Sequence, residues 1–378
     1  MIIEEQRSLT KEQKQAVGLL SIGTMLEYFD LMLYVHMAVL LNELFFPKTD
    51  PFTASLLSAL AFCSSYILRP FAALIFGYIG DNIGRKATVV ITTFLMSFSC
   101  IVMANLPTYS QIGITAAWIV TLCRIIQGMS SMGEVVGAEL YLTEMIKPPL
   151  RYSAVSSMTV AATVGVTVAL GIAFVVTSFG INWRMAFWFG AAIALIGSIA
   201  RTSLRETVEF VDAKKRISDM LKAVNLPPDK NVAYFQKINK RHVIAYFLIE
   251  CTGPLWFCIA YIYCGNLLKT KFGFTPEEVI SQNFIVGSVE LLSAIFLMLL
   301  VSRIHPLKIL AVRITIFAMF ALFIPTMLDS VTTPFELLMF QLFIAVIAPT
   351  GFPARALFFI RFPVLNRFTC TSLVFAIS

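Results

Sequence analysis

Apolar residues in this chain come in long blocks, with no sustained alternation. Ten blocks reach or approach the roughly 20 residues a helix needs to cross a hydrocarbon core of about 30 Å. They are residues 16–41, 52–79, 87–105, 112–138, 154–179, 183–203, 243–268, 279–301, 307–328 and 335–360. An eleventh opens near Phe368 and stops at Ser378. Blocks of this length predict helices, because a helix satisfies its own backbone hydrogen bonds where lipid offers no partners. The loops between them are short, with one exception. The polar stretch 204–242 divides the chain into an N-terminal six-helix half (1–203), a cytoplasmic linker (204–242) and an incomplete C-terminal half (243–378). The fold class read from this pattern is all-α and membrane-embedded, with ten full spans and a stub of the eleventh.

Charge orients the bundle. The 378 residues are 58% hydrophobic and only 13% charged, whereas a soluble domain is about a quarter charged. Mean hydropathy is +0.81. Of the 29 Lys and Arg, 21 fall in segments that share one side if the N-terminus is cytoplasmic, and three (Lys48, Lys269, Lys271) fall on the other. Bases collect on the cytoplasmic side of membrane proteins, so the N-terminus is expected inside. The net charge of +7 is then topogenic, and no nucleic-acid partner is expected. Residues 1–15 are polar and the first apolar block is too long for a signal-peptide core. The seven cysteines are scattered through apolar blocks without metal or redox spacing and read as packing residues.

Within the linker, Phe210, Ile217, Leu221 and Val224 recur at helical spacing among bases, and Pro227-Pro228 follows. That predicts an amphipathic helix on the cytoplasmic membrane surface; a solvated linker fits equally. Between the second and third blocks stands Gly77-Tyr78-Ile79-Gly80-Asp81-Asn82-Ile83-Gly84-Arg85-Lys86. It reads as a ten-residue charged turn whose glycines allow positive φ and close approach, with Asp81 placed to latch neighbouring helices. There is also a faint repeat: Arg151-Tyr152-Ser153-Ala154 and, 216 residues later, Arg367-Phe368-Thr369-Cys370. The second copy of the charged turn would fall at 300–309, where bases remain but the acid and glycines do not.

Charges inside a bilayer cost about 2.5–3.5 kcal/mol each even on the lenient scale, so those that persist there are informative. Glu27 and Asp30 lie mid-way along the first block, three apart and on one helical face. Arg124 lies half-way along the fourth, with Gln127 one turn on. The three charges are expected to face a shared polar cavity and pair; a buried ion pair that only sets helix register is the plainer alternative. Two carboxylates one turn apart disfavour double ionisation, which makes Glu27 and Asp30 the proton-coupling candidates. Arg124, a planar fork suited to carboxylates, is the substrate-binding candidate with Gln127. Tyr28, Trp256 and Tyr261 are the aromatic candidates for an ammonium group. Glu250 and Glu290 read either as substrate or proton groups or as drift. Gly133-x-x-x-Gly137 reads as close helix packing, and Gly253-Pro254 and Pro349-x-Gly351-x-Pro353 as kinks. His36 is expected to be packed or wetted. The absence of a Walker motif, of Gly-x-Ser-x-Gly and of zinc-spaced ligands leaves hydrolysis and ATP-driven pumping without support; no enzyme activity, cofactor or metal is expected.

Several of these residues also carry a resemblance. The turn Gly-x-x-x-Asp-x-x-Gly-Arg-Lys at 77–86 resembles the signature of the major facilitator superfamily. Gly23-x-x-x-Glu27-Tyr28-Phe29-Asp30-x-x-x-Tyr34, Arg69-Pro70, Arg124-x-x-Gln127-Gly128-x-Ser130-x-x-Gly133-Glu134-x-x-Gly137-Ala138, Trp183-Arg184 and Leu204-Arg205-Glu206-Thr207 follow in order. Together they are similar to its metabolite:proton symporter branch, and within it to the bacterial proline/betaine transporters. The resemblance is specific over 20–210 and thinner beyond. It implies two six-helix halves with alternating access, and proton-coupled import of a small osmoprotectant such as proline or glycine betaine across the bacterial inner membrane. A dicarboxylate symporter of the same branch and a non-transporting paralogue or sensor are the alternatives. Gly77, Asp81, Gly84, Arg85 and Lys86 would form a cytoplasmic gate. The absence of a Gly-Pro pair in the fifth block, a mark of many exporters of the superfamily, favours import. The stub of the eleventh span and the missing twelfth predict a transporter with little activity of its own.

Overall fold

The computed structural model describes residues 6–47, 63, 66–179, 182–223 and 238–378. Thr10 opens the first helix. Its hydroxyl accepts the Gln13 N–H at 3.2 Å, and the Gln13 side chain accepts the Thr10 N–H at 3.0 Å. This reciprocal cap satisfies two of the donors that a helix start leaves open. Helix α1 then runs Lys11–Phe45, followed by α2 (Arg69–Asn82), α3 (Arg85–Asn105), α4 (Ile114–Met145), α5 (Leu150–Phe179) and α6 (Arg184–Arg201). Helix α7 (Val208–Ala223) belongs to the polar stretch. Then come α8 (Lys240–Phe272), α9 (Pro276–Leu300), α10 (Pro306–Ala321), α11 (Ile324–Ser330), α12 (Pro334–Ile347), α13 (Arg355–Phe359) and α14 (Arg367–Ile377). Helices α9 and α12 start with the same reciprocal cap, from Thr275/Glu278 and Thr333/Glu336, each with Pro in its first turn.

The protein is an all-α, multi-pass membrane bundle. Among the described residues, seven helices are long and apolar enough to cross a membrane, eight if α10 and α11, bent by 54°, count as one span. The difference from ten blocks has local causes. Most of the block 52–79 before Tyr66, and with it Lys48, lies outside the described residues. The block 335–360 is not one kinked helix: α12 stops at Ile347 and α13 starts at Arg355. Pro349 and Pro353 supply no N–H and push the residue before each out of helical geometry, so the backbone breaks there. Gly253-Pro254 does less. Span α8 passes through it, with a turn at Cys251 and a π-helical stretch at Cys258–Tyr263.

The charged turn at 77–86 is also shorter than its pattern implied. Helix α2 continues to Asn82 and α3 begins at Arg85, so Gly77 and Gly80 are helical and only Ile83-Gly84 turns, with Gly84 at φ 149°. Gly77 and Gly80 serve close approach instead. A Cβ on Gly77 would lie 2.7 Å from the Thr369 Cα, and one on Gly80 2.3 Å from the Phe368 ring. Small residues (Ala72, Ala73, Gly77, Gly80) dominate the buried face of α2, with Phe76 beside them against Leu373 and Phe375 of α14, while Phe71, Leu74 and Ile75 are exposed. The same logic sets α4 on α3: a Cβ on Gly133 would lie 2.4 Å from Thr92 and one on Gly137 2.9 Å from Val89.

Early helices pack as α1 with α5 and as α3 with α4 and α6, and late ones as α9 with α12. The sets meet chiefly where α5 packs on α9 and α2 on α14, and also where α4 touches α13 and α14. The faint repeat has a physical counterpart. Arg151 Nε donates to the Ile146 carbonyl at 2.7 Å and Arg367 Nε to the Phe362 carbonyl at 3.2 Å, each reaching back five residues to brace a helix start. Helix α7 forms where the spacing placed it, with Phe210 buried against Arg85 at 4.7 Å, so that residue faces the bundle and not the membrane surface. The side chains of Ile217 and Leu221, and Val224 and Pro227-Pro228, lie outside the described residues, as does the His36 side chain.

Candidate functional site

A cavity of about 560 Å³ lies between the early and late helices. Burying charge here is costly unless it is paired, so the charges on its wall define it. Four are acids: Glu27 on α1, Glu139 on α4, Glu250 on α8 and Glu290 on α9. Three are bases: Arg69 on α2, Arg313 on α10 and Arg355 on α13. The three aromatic candidates Tyr28, Trp256 and Tyr261 also line it. Trp256 and Tyr261 form one cluster with Phe257, with ring centroids 5.2–6.5 Å apart.

Arg355 joins the two sets of helices. Its Nη1 donates to Glu139 Oε1 at 2.7 Å, and its Nε and Nη2 donate to the two oxygens of Glu250 at 2.9 Å each. Gly351 makes room for this pair, because a Cβ there would fall 2.2 Å from Glu250 Oε1. Tyr261 donates its hydroxyl to Glu290 at 2.9 Å. Arg313 donates to the Phe352 carbonyl at 3.0 Å and to the Ala348 carbonyl, both in the stretch between α12 and α13. Sequence reasoning left Glu139, Arg313 and Arg355 without a role. The available signal was a charge inside an apolar block, which both arginines carried.

Glu27, Asp30 and Arg124 do not share the cavity. Arg124 Nη1 pairs with Asp30 Oδ2 at 3.4 Å and donates to Gln127 Oε1 at 3.0 Å, and its guanidinium lies 4.1 Å from the Tyr34 ring centre. Asp30 also accepts from the Cys100 thiol at 3.5 Å. Asp30, Arg124, Gln127, Tyr34 and Cys100 are all buried, and none of Asp30, Arg124 and Gln127 is among the described residues lining the cavity. Glu27, one turn from Asp30, does line it, and among the described residues its buried Oε2 has no hydrogen-bond partner. Arg69 is the strongest opposite charge acting on Glu27. A third cluster braces the early helices. Arg201 pairs with Glu134 and donates to Thr93 at 2.5 Å and to the Leu19 and Leu20 carbonyls at 3.0 Å each. Gly23 is the notch that admits this guanidinium.

The gate candidates meet at the basic end of the bundle. Asp81 accepts the N–H groups of Phe368 and Thr369 at 3.0 and 2.9 Å and the Thr369 hydroxyl at 2.7 Å. A carboxylate there suits the positive end of helix α14. Asp81 also pairs with Arg85 at 3.0 Å, Arg85 with Glu144 at 2.9 Å, and Glu144 with Arg367 at 3.0 Å. Arg85 Nη2 donates to the Val364 carbonyl at 2.5 Å. Lys86 joins through its backbone, which with that of Arg85 donates to Glu206. A Cβ on Gly84 would collide with Glu206 at 1.9 Å. At this end, bonds run from early helices to late ones.

Residues 19–371 match the sequence pattern of the Major Facilitator Superfamily. The chain belongs to that superfamily. An inner membrane metabolite transport protein of Escherichia coli, YhjE, is 34% identical over 233 residues, covering 59% of this chain and 52% of that protein. The proline/betaine transporter of Salmonella typhimurium is 29% identical over 204 residues, covering 52% of this chain and 41% of that protein. The chain spans about half the length of the curated relatives it matches. Among solved structures, the proton:xylose symporter XylE bound to 6-bromo-6-deoxy-D-glucose superposes with a TM-score of 0.75 at 15% identity, over 96% of this chain and 85% of that one. The human organic anion transporter MFSD10 superposes with a TM-score of 0.62 at 17% identity, over 97% of this chain and 92% of that one. The superfamily fold is thus present in this chain, with two sets of helices around one cavity.

Proposed function

We propose that this superfamily member is a proton-coupled secondary transporter that imports a small zwitterion or organic acid across a bacterial inner membrane by alternating access, with its N-terminus cytoplasmic. The observation that carries the reading is the pairing of a charge-lined central cavity with a latch at one end. Asp81 ties α2 to the start of α14 at the end that the distribution of bases marks as cytoplasmic, so opening that end means breaking this contact. Glu27 is the proton-coupling candidate that this geometry supports, because it faces the cavity with an oxygen that has no partner among the described residues. Asp30, already paired with Arg124, supports the site by holding its geometry. The aromatic cluster of Trp256, Phe257 and Tyr261 favours an ammonium-bearing solute such as proline or glycine betaine. The three cavity arginines favour a dicarboxylate. Uptake of labelled proline, glycine betaine and succinate into vesicles, with and without an inward proton gradient, tests the proposal. Gradient-stimulated accumulation of any of the three supports it; none accumulating above protein-free vesicles sinks it.

A further inference from the structure

Arg355 holds two carboxylates with one guanidinium. The group of Glu139, Arg355 and Glu250 therefore carries an excess negative charge, at a depth where the side chains of the acids are 3–4% exposed. The two acids are held unequally. Glu250 is bidentate and seated against the Gly351 notch, whereas Glu139 uses one oxygen on one nitrogen. Arg355 is the more open member, with 16% of its side chain exposed. Of the other arginines, Arg69 lines the cavity but stands over the Tyr66 ring at 4.1 Å and holds no pair of acids among the described residues, so a carboxylate bound there would displace none. Arg313 is committed to two backbone carbonyls, and Arg124 does not line the cavity.

We propose that Arg355 receives the carboxylate of the solute and that Glu139 is the group it displaces, taking up a proton as it leaves. The inference rests on the transport reading above and deepens it. The exchange balances: one proton taken up from the bulk solvent converts the Glu139 carboxylate to a carboxylic acid, and the solute carboxylate takes its place on Arg355 Nη1. No covalent bond to carbon forms or breaks, and the Arg355 cluster keeps the same net charge before and after. Each carboxylate bound thus carries one proton with it. The alternative, binding a third carboxylate with Glu139 still ionised, adds a second excess charge in a medium where one is already costly. Other groups face this pair from each neighbouring helix. Tyr28 comes from α1, and Tyr246 and Glu250 from α8. Glu27 and Arg69 act on Tyr28 from further out. Helix α14 offers the Phe375 ring, 5.7 Å from the guanidinium, and α5 the hydroxyl residues Ser156 and Thr159. Of these, only Glu139 and Glu250 bond to Arg355, and only Glu139 joins an early helix to it.

Calorimetry on the purified chain in detergent, titrated with succinate, proline and glycine betaine in buffers of different ionisation enthalpy, counts protons taken up on binding. The wild-type chain should take up about one proton per carboxylate bound, with affinity falling up to about ten-fold per pH unit where Glu139 is otherwise ionised. Glu139→Gln should bind at least as tightly, without proton uptake and with a flat pH profile. Glu139→Asp, which keeps the titrating group, should restore the uptake. Arg355→Lys should bind at least about ten-fold more weakly, since an ammonium cannot hold Glu250 and the solute in one planar fork. Proton uptake persisting in Glu139→Gln, or unchanged affinity in Arg355→Lys, would overturn the assignment while leaving a carboxylate transporter intact. Failure of all three solutes to bind the wild-type chain would overturn both readings.

Discussion

Asp81 and Thr369, 288 positions apart, are joined twice: Asp81 Oδ2 accepts the Thr369 N–H at 2.9 Å and the Thr369 hydroxyl at 2.7 Å. One carboxylate therefore caps a helix of the other set of spans, and in the proposed transport cycle this helix-end contact is the lock between them.

Asp81→Asn should open that lock. The amide retains one acceptor but loses the charge that faces both the start of α14 and Arg85, interactions worth about 1–3 kcal/mol. Populations should shift toward the state open at the basic end by about 5- to 150-fold. Spin labels at the basic ends of α3 and α14 read this as a longer distance. Solute affinity measured with the latch broken should change little, and a parallel loss of binding would contradict a purely gating role.

Gly77→Ala should drive α2 from α14, because its Cβ would stand 2.7 Å from a backbone atom that has no flexible end to move. Overpacking of this kind costs about 1–3 kcal/mol. Gly253→Ala is the control, since nothing lies within 4 Å of the added methyl. Thermal unfolding in detergent should be lowered by the first and left unchanged or raised by the second.

Asp30→Asn and Glu27→Gln should separate stability from coupling. Asp30→Asn leaves the buried Arg124 without its ion partner, a loss of about 3–5 kcal/mol, and should lower the unfolding temperature strongly. Glu27→Gln removes no ion pair among the described residues and should leave unfolding nearly unchanged while reducing the stimulation of uptake by a proton gradient. Equal thermal effects from the two would mean that the two acids share one environment after all.

Glu134→Ala should be far more damaging than Glu12→Ala. Glu134 neutralises the fully buried Arg201, and stranding that charge costs about 3–5 kcal/mol. The Arg205–Glu12 pair is open to solvent, at 80% and 60% exposure, and such pairs contribute about 0–1 kcal/mol. Expression and unfolding of the two variants side by side give the comparison.

What the sequence determined by itself is whatever follows from neighbours along the chain. Apolar blocks of about 20 residues must be helices in lipid, because no other single segment satisfies its own backbone there. Residues 77–86 and the ordered motifs from Gly23 to Thr207 sufficed to mark the superfamily. Thr10, Thr275 and Thr333 mark their helix starts by local hydrogen bonding alone. The tertiary structure decided which way each buried charge points. Glu27 and Asp30 share a helical face three residues apart, yet one meets the cavity and the other meets Arg124. Glu139 lies within a stretch of α4 that is buried on every side from Ser130 to Glu144, so periodicity cannot say which neighbour it faces. Arg355 reaches both Glu139 and Glu250 only because the backbone breaks between α12 and α13 and turns that guanidinium inward. Such pairings depend on which helices come within 3 Å of one another. That is set by notches such as Gly77, Gly80 and Gly351, whose partners lie tens to hundreds of residues away in the chain.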